Sequence, residues 1–186
     1  NAAGVVYVAD RDNGLIRTLT PVALPPPGIE DPPALSIAGV VNSASMLPGP
    51  LAPGQIATLF GTALDSADVL FEGEPAALLY AGAVQINLVV PETVAGRDMA
   101  SVEVRAPAGS LRMIVPVAPS NPGIFTLAGG AGQAAAENED GTLNSKDNPA
   151  PRGSALTIYA TGEGSGLPLA VEIGGRPAAV LSAGHT

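Results

Sequence analysis

Short apolar runs, each closed by Gly, Pro, Asn or Asp, follow one another along the chain. Val5-Val6-Tyr7-Val8 is β-branched and aromatic, Asp10-Arg11-Asp12-Asn13-Gly14 is a turn cluster, and Leu15–Leu19 is apolar again. This order predicts strand, tight turn and strand over residues 1–20, with Asn-Gly as the hairpin signal. Two strands alone are marginal in water, so the hairpin needs neighbours. Residues 21–35 hold Pro21, Pro25, Pro26, Pro27, Pro32 and Pro33. Proline fixes φ and removes a donor, so an extended linker and a domain boundary are expected there. From Ser36 the runs return: Ile37–Val41, Gln55–Thr62, Val69–Glu72, Ala76–Tyr80, Gln85–Val90, Ser101–Arg105 and Leu111–Val117. Seven short strands divided by turn residues suggest a β-sandwich. The one stretch of helical composition, Ala131–Glu137, is short and follows glycines.

The second half repeats the first. Gly54-Gln55-Ile56-Ala57-Thr58-Leu59-Phe60-Gly61-Thr62 aligns with Gly153-Ser154-Ala155-Leu156-Thr157-Ile158-Tyr159-Ala160-Thr161. Gly73-Glu74-Pro75-Ala76-Ala77-Leu78 aligns with Gly175-Arg176-Pro177-Ala178-Ala179-Val180. Asn42-Ser43 matches Asn144-Ser145, and Ala81-Gly82 matches Ala183-Gly184. Matches in type and order point to duplicated modules, 36–120 and 121–186. Three strand candidates that follow Gly82 have no counterpart after Gly184. The second copy therefore reads as truncated, and is expected to fold loosely or to pair with other chains through an open sheet edge. Within the repeated strand, alternation puts Leu59 and Ile158 in the core and leaves Phe60 and Tyr159 for a neighbouring module.

Composition narrows the function. The chain has 186 residues, with 23 Gly and 19 Pro, which disfavours long helices. Its net charge of −9 repels phosphate backbones, so nucleic-acid binding is not expected. No apolar stretch is long enough for a membrane span. The absence of Cys removes disulfides and thiol chemistry, and the lone histidine, His185, has no visible partner. The start, Asn1-Ala2-Ala3-Gly4, has neither an initiator Met nor a signal-peptide pattern, so the chain reads as a piece of something longer.

Four candidate sites each have a plainer reading. Glu137-Asn138-Glu139-Asp140-Gly141-Thr142-Leu143-Asn144 faintly resembles a calcium loop, with Asn138, Asp140 and Gly141 filling three positions. Ala136 at its first position has no side-chain ligand, so a hairpin turn at Asp140-Gly141 is the preferred reading. Gly162-Glu163-Gly164-Ser165-Gly166 has the look of a phosphate loop. It lacks the third glycine and the Lys, and its Glu repels phosphate, so a flexible strand connection is preferred. Asp10, Asp12 and Asn13 read as solvated turn formers rather than a carboxylate pair. His185 receives no role. No catalytic, cofactor-binding or metal-ligating residue is assigned, no cofactor is expected, and the chain is not read as an enzyme.

Two resemblances follow from particular motifs. Val6-Tyr7-Val8-Ala9-Asp10, with Asn13 and Ile16-Arg17, resembles the end of an NHL repeat, which implies a β-propeller upstream. Residues 39–186 resemble an uncharacterised C-terminal module of large bacterial secreted proteins. The motifs are Gly39–Ser45, Leu51–Gln55, Gln85-Ile86-Asn87, Pro119 with Asn121–Phe125, and Ala160–Gly164. Each half is similar to an IPT/TIG domain, an immunoglobulin-like fold, through Thr58–Thr62, Val69–Gly73 and Val89-Val90-Pro91.

The expected fold is all-β: a propeller-derived hairpin, then tandem immunoglobulin-like sandwiches, the second incomplete. The expected function is a non-catalytic, secreted or cell-surface bacterial module for spacing, adhesion, or binding of another protein or a polysaccharide. Neighbouring domains of the parent chain are further expected partners. The alternatives are an accessory domain of a secreted hydrolase, with its chemistry on an upstream propeller, and a calcium-stabilised adhesin segment. Assembly through a β-edge is a third. Few aromatics are available as a sugar platform: Phe60, Phe71, Phe125, Tyr7, Tyr80 and Tyr159.

Overall fold

A computed structural model describes residues 33–184, together with the backbone of 6–10 and 15–19. The chain divides into two compact units, Asn1–Pro32 and Pro33–Thr186. In the first, β1 (Val6–Asp10) and β2 (Leu15–Leu19) form an antiparallel hairpin. Its register runs from Val6↔Leu19 to Asp10↔Leu15. The expected Asn13-Gly14 turn and the linker up to Pro32 lie outside the described residues.

The second unit begins with eight strands. They are β3 (Ser36–Asn42), β4 (Ile56–Thr62), β5 (Asp68–Phe71), β6 (Glu74–Pro75), β7 (Ala77–Gly82), β8 (Gln85–Val89), β9 (Met99–Ala106) and β10 (Gly109–Pro116). One antiparallel sheet has the order β3-β4-β8-β7, the other β10-β9-β5-β6. Each expected run from Ile37 to Val117 supplies one strand, and β6 is an addition.

The two sheets share one core, as their alternation requires. Ala57, Leu59, Ile86 and Leu88 enter it from the first sheet; Val69, Phe71, Ala100, Val102, Val104 and Val115 enter from the second. Burial of each large apolar side chain contributes about 1.5–3 kcal/mol. β9 shows the pattern: Ala100, Val102 and Val104 are buried, while Met99 and Arg105 are exposed. Leu51, Leu64, Ala67, Val90 and Val94 complete the core, Val94 from a single 3₁₀ turn at Glu92–Val94. The Leu-Ala-Pro-Gly-Gln motif is the turn that launches β4. Gln55 N donates to the Ala52 carbonyl at 3.1 Å, and Gln55 Oε1 accepts from Ala52 N at 2.9 Å. β7 is a sheet edge, and its Leu79 and Tyr80 are exposed.

The remaining strands are short and paired two by two. β11 (Gly123–Ile124) pairs with β14 (Ala160–Thr161), and β12 (Ala136–Asn138) with β13 (Leu156–Ile158). β15 (Val171–Ile173) pairs with β16 (Arg176–Ala178). Among the described residues the fold is therefore all-β, with several antiparallel sheets and no α-helix.

The sequence repeat is visible in the backbone. Ser154 N donates to the Pro151 carbonyl at 3.1 Å, which repeats the Gln55–Ala52 turn, and Gly54 and Gly153 both have positive φ. The β5–β6 hairpin has the register Leu70↔Pro75 and Phe71↔Glu74; β15–β16 has Glu172↔Pro177 and Ile173↔Arg176. Both turn on two residues of positive φ, Glu72-Gly73 (51° and 90°) and Gly174-Gly175 (59° and 72°). That is the hairpin turn whose twist suits paired strands.

Two expectations need correction. Ile158 is only half-buried, unlike Leu59, because β13 has one neighbour, β12, whereas β4 lies between β3 and β8. The register position of Asn42, opposite Ala57, belongs in the second copy to Asn138, opposite Leu156, and not to Asn144. Asn144 instead donates its Nδ2 to Asn138 Oδ1 at 2.9 Å.

Candidate functional site

A set of hydrogen-bonded polar residues joins the first copy of the repeat to the second. Asn42 ends β3, where the chain turns away and leaves backbone groups without ladder partners. Its Oδ1 accepts from Ala44 N at 2.9 Å and Ser45 N at 3.2 Å. Its Nδ2 donates to the Asn121 carbonyl at 2.8 Å. Asn121 Nδ2 donates in turn to the Pro50 carbonyl at 2.8 Å, and Asn121 N donates to the Gly162 carbonyl at 2.7 Å. Ile56 N, at the start of β4, donates to Thr161 Oγ1 at 2.7 Å. Further out, Ser165 Oγ donates to Glu92 Oε1 at 2.7 Å.

This joint is tight, and two of its members are buried. Asn42 is 2 % exposed and Thr161 4 %. A buried polar group left without its bond costs about 1–3 kcal/mol, so each member holds the others in place. Glycine is required where backbones touch. A Cβ on Gly162 would meet the Asn121 carbonyl oxygen at 2.2 Å, and one on Gly164 the Pro119 oxygen at 2.1 Å. The Gly162–Gly166 stretch is thus docked rather than flexible at Gly162 and Gly164, which are spent on close packing, while a Cβ on Gly166 would meet open space.

The acidic stretch forms a hairpin turn, centred on Glu139-Asp140, one residue before the expected Asp140-Gly141. Gly141 N donates to the Asn138 carbonyl at 2.9 Å, with Gly141 at φ +78°. Asp140 Oδ1 accepts from Thr142 N at 3.0 Å and Thr142 Oγ1 at 2.6 Å. These bonds lower the Asp140 pKa from its usual value. Asn138 is buried, and its amide is engaged by Thr142, Asn144 and the Asn148 carbonyl. A shallow groove of about 480 Å³ lies alongside, lined by Glu139, Asp140, Asn148 and Ser154 among others. Among the described residues no three His, Cys, Asp or Glu side chains cluster as a metal would need. Asp10 ends β1, opposite Leu15, while Asp12, Asn13 and His185 lie outside the described residues.

Two other titratable positions stand out. Glu103 receives Arg105, Arg112 and Ser110, and the two guanidinium groups bring its pKa down to about 2. Tyr159 lies beside Glu137, whose charge raises the phenol pKa. Tyr159 is exposed, and neither residue lines the groove beside Asp140.

The joint could be found only in part from the sequence. Asn121-Pro122-Gly123 and Thr161-Gly162-Glu163-Gly164 were legible as turn-rich motifs, but not as each other's partners. No helix among the described residues is long and apolar enough to cross a membrane. No protein-family model matches the chain. No curated protein matches it at a significant level.

Proposed function

We propose that this chain is a non-catalytic module of a secreted or cell-surface bacterial protein, and that it acts as a stiff spacer. The observation that carries the reading is the Asn42–Asn121–Gly162 joint, with Thr161 on Ile56 beside it. A flexible tether between repeats would need no buried asparagine bonded across it, as Asn42 is to Asn121. Here the connection uses side chains separated by 79 and 71 positions in the chain, which fixes the angle between the two copies. The tandem immunoglobulin-like (IPT/TIG) reading belongs to the same proposal. It is supported by two four-stranded antiparallel sheets on one core and by a hairpin repeated in the same register. The NHL-type propeller end is proposed on its motif alone. Adhesion or binding of a protein or polysaccharide at the far end of such a spacer is the role that this stiffness serves.

Because the chain has no native cysteine, two spin labels can be placed cleanly. Labels at Ala108→Cys and Lys146→Cys, both exposed, report the distance between the copies. A single narrow distance distribution is expected, broadened in Asn42→Ala and Asn121→Ala. A distribution already broad in the unaltered chain overturns the spacer reading.

A further inference from the structure

The two sheets of the first copy differ in charge. Strands β5, β6, β9 and β10 carry Asp68, Glu74, Glu103, Arg105 and Arg112. Strands β3, β4, β7 and β8 contain no Asp, Glu, Lys or Arg. With Leu59, Ile86 and Leu88 turned into the core, Thr58, Phe60, Gln85 and Asn87 belong to the opposite face of this uncharged sheet. The register sets Gly82, Gln85 and Phe60 in one row, and Tyr80, Asn87 and Thr58 in the next. Tyr80 is 54 % exposed and reaches along β7 to the first row, where a Cβ on Gly82 would meet its Oη at 2.7 Å. Two of the chain's six aromatic residues thus flank Gln85. Their strands are two spacings, about 10 Å, apart. The polar side chains between them are already bonded to one another. Ser43 Oγ lies 2.7 Å from Thr58 Oγ1, Thr58 Oγ1 donates to Asn87 Oδ1 at 3.2 Å, and Gln85 Nε2 donates to the same oxygen at 2.9 Å. That network orients both amides and leaves Asn87 Nδ2, a donor, and Gln85 Oε1, an acceptor, outside it.

We infer that this face of the β3-β4-β8-β7 sheet is a binding site for an extended, neutral glycan chain. Tyr80 and Phe60 supply apolar ring faces, against which the C–H face of a pyranose stacks. Asn87 Nδ2 and Gln85 Oε1 supply a donor and an acceptor between the rings, and sugar hydroxyls both accept and donate. Because Thr58 and Gln85 already hold the Asn87 amide, little side-chain freedom is lost on binding. Charge selects the neutral class. The net charge of −9 repels an anionic polymer, and this sheet offers no carboxylate to a cationic one. The row runs across the strands and ends at the β7 edge, which suits a chain rather than a single sugar. The inference names a ligand for the binding role proposed above and rests on that reading for its context. The site itself uses only the sheet of the first copy. It can therefore fail while the joint stays stiff, and the joint can prove loose while the site binds.

The test titrates the full chain, ¹⁵N-labelled, with cellohexaose and mannohexaose, two extended neutral chains, and with hexagalacturonate as the charged comparison. Amide shifts at Phe60, Tyr80, Gly82, Gln85 and Asn87 are expected with at least one neutral chain and not with the charged one. Tyr80→Ala, at an exposed edge position and with its fold reported by the same spectra, should weaken that binding roughly tenfold through loss of one stacked ring. Tyr80→Phe keeps the ring and should stay within about twofold. Gln85→Ala removes the acceptor and should weaken binding roughly fivefold. No shift with either neutral chain, shifts confined to residues outside this face, equal binding of hexagalacturonate, or unchanged affinity in Tyr80→Ala overturns the proposal. So does self-association through β7 that covers Tyr80 and excludes the sugar.

Discussion

The β5–β6 and β15–β16 hairpins have a common backbone and opposite fates. Each has a two-residue turn with both φ values positive, and each sets a Pro opposite the middle of its first strand. In the first, the inward residues Val69 and Phe71 vanish under β9 and the facing sheet. In the second, Val171 stays partly open and Ile173 open. The hairpin is thus a local unit, set by turn residues. Its core is not local, and depends on strands that pair from elsewhere in the chain. Even the turn shows the difference. The first copy tolerates Glu72 at φ +51°, a conformation that favours glycine. It does so where Glu72 Oε1 accepts from Ser101 N at 2.7 Å and Arg97 lies 3.7 Å from the carboxylate. The second copy has Gly174 instead and makes no such demand on its surroundings.

The largest expected effect separates the two inward positions. Phe71→Ala should cost about 3–5 kcal/mol, because it opens a cavity between two packed sheets. Ile173→Ala should cost less than about 0.5 kcal/mol, as for an exposed site. Urea midpoints of the two variants check the pair. Equal losses would mean that Ile173 is covered in solution, and would break the comparison.

How much of this was legible in the sequence depends on the range of the forces. The strands from Ile37 to Val117 were readable because period-two alternation and turn residues are local signals. The repeat was readable because Gly54, Gly73, Gly153 and Gly175 occupy positions of positive φ that few other residues fill. Leu59 and Ile158 look alike in sequence, yet only Leu59 is buried, since burial depends on what β8 and the second sheet bring to it. The joint was hidden for the same reason. Asn42 and Asn121 are ordinary turn residues in their own windows, and Thr161 meets Ile56 across 105 positions. Asn144 misled because a two-residue match carries no register, and Asn138 holds the pairing position instead.

A middle-sized effect contrasts two glycines of similar φ. Gly162 has φ +83° and the Asn121 carbonyl where its Cβ would be; Gly174 has φ +59° and open space. Alanine at Gly174 should cost about 1 kcal/mol, the penalty of the left-handed conformation alone. Alanine at Gly162 meets that penalty and also displaces Asn121, so a loss of roughly 1–3 kcal/mol from strain, with the joint's hydrogen bonds in addition, is expected. Thermal melts of both variants measure the difference. If Gly162→Ala melts no lower than Gly174→Ala, the 121–162 contact is not closed in solution.

The smallest effect concerns charge at Glu103 of the covered copy; Asp140 of the other copy, whose pKa is also lowered, adds a contribution of the same sign. Glu103, opposite Leu70, is held by Arg105 and Arg112, and its pKa is lowered from 4.5 to about 2. The unfolded chain therefore binds a proton at this carboxylate at a higher pH than the folded one does. The contribution is complete above the unfolded value and is lost as pH falls through the folded value, so stability declines between about pH 5 and pH 2. Because the pair is at the surface, the slope is shallow and salt reduces it. Glu103→Gln should flatten that limb of the stability–pH curve, read as urea midpoints at low ionic strength, and leave the curve above pH 6 little changed. Acid limbs of equal slope in the wild type and Glu103→Gln would mean that the two arginines do not hold Glu103 in solution. The trio would then be a feature of the static fold, and the difference between the copies would lie in apolar cover alone.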